Sequence, residues 1–99
     1  MKSNIDILRE FSEMGSRHIF IASGKWMEGH IDNVKETFVV FVSVNVFEAG
    51  GTQIVEIPID SIDLNSLSFS DDDFSRQVRF RQPRWVETSG KWEFKDVLW

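Results

Sequence analysis

Hydrophobic and polar positions along this chain of 99 residues change period twice, and the changes divide it into a short helix, a run of strands and a tail. Ile5, Leu8, Phe11 and Met14 recur at helical spacing, with Ser3 placed as an N-cap and Asp6 in the first turn, where the helix dipole favours an acid. Gly15 is a stop signal, so the spacing predicts a helix over about 4–14. A helix this short is marginal in water, so its apolar stripe has to lie on something.

From Arg17 the period becomes that of strands. The pattern predicts strands over 18–22 and 26–34, joined by a turn at Ser23-Gly24-Lys25, with Met27, Gly29 and Ile31 on one face of the second. After the polar break at Lys35-Glu36, residues 37–47 alternate with both faces apolar at first and one apolar to the end, which predicts a strand covered on two sides. Gly29 on the neighbouring strand is expected to give the backbone freedom for a tight curve. Gly50-Gly51 reads as a turn, residues 53–59 as a fourth strand with Pro58 favouring an end or edge, Asp60-Ser61 as a tight connection, and 62–67 as a fifth strand. Ser66, Ser68, Ser70 and Asp71-Asp72-Asp73 read as a polar boundary, with Ser70 or Asp71 able to cap a short turn of helix through Phe74. Beyond it, 77–82 alternates Val78 and Phe80 with Arg79 and Arg81, and 84–87 and 91–95 flank a hairpin turn at Thr88-Ser89-Gly90.

Length and a 41% apolar content bound this to one domain with one core. No cysteine is present, which removes disulfides and thiolate chemistry. No apolar run approaches the roughly 18 residues of a membrane span, and the acidic N-terminal residues do not read as a signal peptide, so the expectation is a soluble, cytoplasmic protein without a membrane partner. The net charge of −5 argues against an unselective polyanion binder, but residues 1–75 hold 5 basic and 13 acidic side chains while 76–99 hold 6 basic and 3 acidic. The tail is the one basic region, facing either nucleic acid or the acidic body of a neighbouring subunit.

The order of these parts over about residues 4–67 resembles the Sm-like family, which includes the bacterial Hfq branch. Gly29 matches the glycine of the family's first motif, Ile31, Val34, Phe38, Val40 and Val42 its apolar positions, and Ile57, Ile62 and Leu64 the frame of its second. The resemblance implies a mainly β fold: a small bent five-stranded antiparallel barrel with an N-terminal helix over 1–67. Residues 68–99 would add a hairpin extension packed on the same domain or on a neighbouring subunit. It also implies a homo-oligomer, a closed ring of five to seven subunits in which strand four of one pairs with strand five of the next. Ile54, Val55, Ile57, Ile62 and Leu64 are the candidate interface residues. Lys35 and Val39 stand where the family's aspartate and uridine-contacting asparagine fall, and Pro58-Ile59 where typical members carry Arg-Gly, so an inherited oligo-uridine pocket is not expected.

Candidate chemistry outside that pocket is sparse. His18 and His30, on adjacent strands, would form a metal cluster with Glu28 or Asp32, or else be two solvent-facing strand residues, and the second reading is preferred, with no metal or cofactor expected. The Asp71-Asp72-Asp73 run lacks the spacing of a calcium loop and reads as a solvated linker. No signature of hydrolysis or phosphate cradling occurs, so no enzyme is expected. The tail carries the functional candidates: Arg79, Arg81, Arg84 and Lys91, with Arg76 and Lys95, for phosphates, and Trp85 and Trp92 for stacking on bases, with Lys35 joining Lys25 as a second anion contact. The same tryptophans and arginines also suit a hairpin core or subunit interface, and that reading is preferred, because the chain carries more large apolar side chains than a small barrel encloses. The leading expectation is a ring that binds RNA or single-stranded nucleic acid without catalysis; the alternative is a structural or adaptor ring with no nucleic-acid ligand.

Overall fold

Seven antiparallel strands and one helix make up the computed structural model, which describes residues 1–44, 52–71 and 79–97. The helix α1 (Asn4–Ser12) starts as the sequence dictates, with the Ser3 hydroxyl accepting from the Asp6 amide at 3.1 Å. It ends two residues earlier than its apolar spacing implies. Gly15, at φ +65°, turns the chain where an added Cβ would meet the Ser70 carbonyl at 2.8 Å. Leu8 and Phe11 are fully buried, and Ile5 and Met14 pack at the margin of the same core, so the predicted stripe is the one that docks.

β1 (Arg17–Ala22) and β2 (Lys25–Val34) form a hairpin through Ser23 and Gly24, both at positive φ, as a two-residue turn between right-twisted strands requires. β3 (Phe38–Val44) and β4 (Thr52–Pro58) follow, then a 3-10 turn (Ile59–Ser61), β5 (Ile62–Ser70), β6 (Phe80–Val86) and β7 (Lys91–Val97). The continuation of the long apolar ribbon past Val44, the Gly50-Gly51 turn and the proposed turn of helix near Phe74 lie outside the described residues.

The sheet runs in the order β4-β3-β2-β1-β5-β6-β7 and does not close, which corrects the expected five-stranded barrel. The reason lies in β5. Its outer side meets β6 of the same chain, with Phe69 opposite Arg81, so the sheet grows past β5 and ends at β7. Residues 84–86 of the expected 84–87 segment and part of 77–82 are one strand, β6, paired with β7 along its full length, and Glu87 falls in the turn.

The register of β2 with β3 shifts between Ile31 and Asn33, close to Gly29, and a larger irregularity falls where no curvature was expected, between β1 and β5. Between Ile19 and Ile21 two steps of β1 face five steps of β5, from Ser68 to Asp63. The extra residues are held by Ser66, whose hydroxyl accepts from the Ile21 amide at 2.8 Å and donates to the Asp63 carbonyl at 2.6 Å. Ser66, Ser68 and Ser70 are therefore buried members of β5, not the polar boundary their composition implied. Gly29 is needed for close approach: a Cβ there would lie 2.0 Å from the Val42 carbonyl oxygen.

The core fills the space between α1 and one face of the sheet, with Phe20 and Phe41 meeting edge-on at 5.0 Å. Val39, Phe41, Val55 and Ile57 share that inner face of β3 and β4. Among the described residues no helix is long and apolar enough to cross a membrane.

Candidate functional site

Pairing of β6 with β7 divides the tail into two unlike faces. Opposite residues share a face and successive residues alternate, so Arg84, Glu93, Gln82, Lys95, Val86 and Lys91 lie on one side. Arg81, Pro83, Trp85, Trp92, Phe94 and Asp96 lie on the other. The tryptophans and most of the cations, expected to grip one ligand together, thus start from opposite faces, and of those cations only Arg84 also lines a groove with Trp85 and Trp92.

The aromatic face is largely occupied by the chain itself. Trp85 and Trp92 sit directly opposite and touch edge-to-face at 5.6 Å, and the Lys2 ammonium lies 4.2 Å over the Trp85 ring. Lys2 also pairs with Glu10 of α1, and its backbone N–H donates to Glu87 Oε1 at 3.0 Å. That amide bond holds the Glu87 carboxyl below its ordinary range, with a smaller part from the approach of the Trp85 indole. The approach is loose, since the buried Trp85 Nε1 makes no hydrogen bond of good geometry. Arg81 pairs with Asp71 at 3.0 Å and lies 4.8 Å over the Phe69 ring.

A groove of about 480 Å³ runs between α1, the β5 bulge and the hairpin, lined by Ile7, Leu64, Leu67, Pro83, Trp85 and Trp92 with Asn65, Gln82, Arg84 and Glu87. Of the candidate nucleic-acid residues it brings together Arg84, Trp85 and Trp92. Lys91 is exposed on the hairpin, Lys35 is exposed in the turn between β2 and β3, and Arg79 is exposed just before β6. Arg84, Lys91 and Lys95 form no ion pair among the described residues.

The candidate interface residues divide by depth. Ile57 and Ile62 are buried in the chain's own core, while Val55 and Leu64 pack at its edge. Ile54 is 75% exposed. It lies on the outer face of β4, opposite Val42, and beside it Val40 and Phe38 are only partly covered.

His18 is the surprise of the polar inventory. It is fully buried, stacked on His30 at 5.0 Å and against Phe11 at 4.8 Å. The Ile31 amide donates to its Nδ1 at 3.0 Å, so the ring proton resides on Nε2, which donates to the Met14 carbonyl at 2.8 Å. One imidazole thus ties the end of α1 to β1 and β2. Burial lowers its pKa to about 4, against the opposing pull of the Met14 carbonyl and with some help from the charge of His30. His18 is buried, not solvent-facing, and both of its ring nitrogens are taken up by backbone groups. Among the described residues no group of three or more histidines and acids is placed to hold a metal ion. The signal was present in the alternation, because His18 shares its face with Phe20 and Ala22.

No family model, curated protein sequence or solved structure matches this chain.

Proposed function

We propose that this chain is a non-enzymatic, self-assembling module of Sm-like type that joins copies of itself by adding a strand at β4. The Sm-like part of the proposal rests on the order of parts, an N-terminal helix followed by strands arranged β4-β3-β2-β1-β5, with only a 3-10 turn between β4 and β5. The self-assembly rests on one observation: β4 ends the sheet with no partner strand on its outer side among the described residues, and it carries the exposed Ile54. Such an edge is a template for another strand. Amide hydrogen exchange tests this directly. The β4 amides that face away from β3 gain protection as protein concentration rises; fast exchange of those amides at every concentration sinks the proposal.

A second reading, single-stranded nucleic acid on the hairpin, is favoured by the shared face of Arg84, Lys91 and Lys95. Contacts there would be mainly to phosphates, since Trp85 and Trp92 lie on the other face and of the three cations only Arg84 lines a groove with them, so binding would be weak and salt-dependent. Fluorescence anisotropy with mixed-sequence oligonucleotides at low salt decides it. A signal lost on replacing Arg84, Lys91 and Lys95 together by alanine supports this reading, and no signal removes it.

A further inference from the structure

The two ends of the sheet are not equally fit to accept a strand. β7 carries Lys91, Glu93, Lys95 and Asp96 along seven residues, a charged edge of the kind that resists pairing. β5, the strand a head-to-tail ring would use, already meets β6 of its own chain at Phe69 and is interrupted by the bulge around Ser66. β4 has neither protection. Its pairing with β3 runs from Pro58 to Thr52 without a shift, and Glu56 is its one charged residue. Beside the edge, Phe38, Val40, Val42 and Ile54 make an apolar strip on the face turned away from the core. Among the described strands, the partner best suited to that edge is therefore β4 itself.

Antiparallel pairing of a strand with its own copy is fixed by where the two-fold axis falls, and the residues choose among the possible centres. An axis at Glu56 would set two carboxylates directly opposite each other, which is destabilising. An axis at Val55 would draw Pro58, which has no amide hydrogen, into the ladder opposite Thr52 and place Ile54 against Glu56. An axis at Ile54 avoids both: Ile54 meets Ile54, Gln53 meets Val55, Thr52 meets Glu56, and Pro58 stays outside. The two Glu56 side chains are then offset by about 14 Å along the strands, beyond the roughly 10 Å screening length at 0.1 M salt. The apolar strips of the two copies become continuous.

We infer that the assembly is a two-fold dimer formed by antiparallel β4–β4 pairing centred on Ile54, making one sheet across both copies. This rests on the self-assembly reading and specifies its partner and symmetry. In a two-fold interface each residue meets its symmetry mate only at the axis, whereas a head-to-tail interface never pairs a position with itself. The chain has no cysteine, so single cysteines report the geometry cleanly.

Oxidation with excess oxidised glutathione should convert Ile54→Cys to a covalent dimer, because residues facing each other across antiparallel strands fall within disulfide reach. Thr52→Cys and Glu56→Cys should each remain largely uncrosslinked alone, yet join on mixing. All three positions are exposed, and circular dichroism with a cooperative melt is the control that each variant folds. Absence of Ile54→Cys crosslinking, or equal crosslinking by all three single variants, overturns the two-fold inference. If the outward β4 amides are still protected with concentration in that case, strand addition stands and the partner strand is a different one. If they are not protected, both readings fall together.

Discussion

At the scale of single residues, His18 and Gly29 each make a prediction with a definite sign. His18 is neutral when buried and has a pKa near 4, below the 6.5 of an exposed histidine. Between those values the unfolded chain binds a proton that the folded chain does not. The stability His18 contributes is therefore complete above about pH 6.5 and is lost as pH falls towards 4, by about 3 kcal/mol in total. Urea unfolding at several pH values checks this against His18→Gln, which should be less stable at pH 7 and lack that part of the slope. Equal slopes in the two proteins would show that His18 does not titrate on unfolding. Gly29→Ala should destabilise by about 1–3 kcal/mol, towards the upper end because the atom in the way is the Val42 carbonyl oxygen and backbone yields little. An alanine variant as stable as the parent in the same assay would contradict the close approach.

At the scale of elements, the β6–β7 hairpin is a packed unit before it is a ligand platform. Trp85 and Trp92 stand opposite each other and Lys2 caps the pair, so a double-mutant cycle with Trp85→Ala and Trp92→Ala should give a coupling energy of about 0.5–1.5 kcal/mol. Additive effects would mean the rings do not support each other. The division of the hairpin into a cationic and an aromatic face was legible from the sequence, because Arg84 and Trp85 are neighbours in a strand and must point apart. α1 was legible too, through the Ser3 cap and the Leu8 and Phe11 spacing. β5 was not. Its buried serines look like a loop by composition, and what keeps them within a strand is long-range: the pairing of Ser68 with Ile19 and of Ser70 with Arg17, and the bond from the Ile21 amide to Ser66, none of which a local pattern carries.

At the scale of the whole molecule, the strand sequence was readable from alternation, but closure was not, because whether a sheet closes depends on what occupies its last edge. Here the tail strand β6 lies against β5, and the sheet opens into seven strands with β4 left at one end. The same observation moves the functional reading from the tail to the opposite edge. A charge placed on that edge should abolish assembly without touching the core, since Ile54 faces solvent in the single chain. Light scattering across a concentration series, on the parent and on Ile54→Lys, measures this most directly. The account predicts a parent mass that rises to twice the 11.5 kDa of one chain and a variant that stays at one chain throughout. A parent that remains monomeric at every concentration, or an assembly that Ile54→Lys leaves intact, would contradict it.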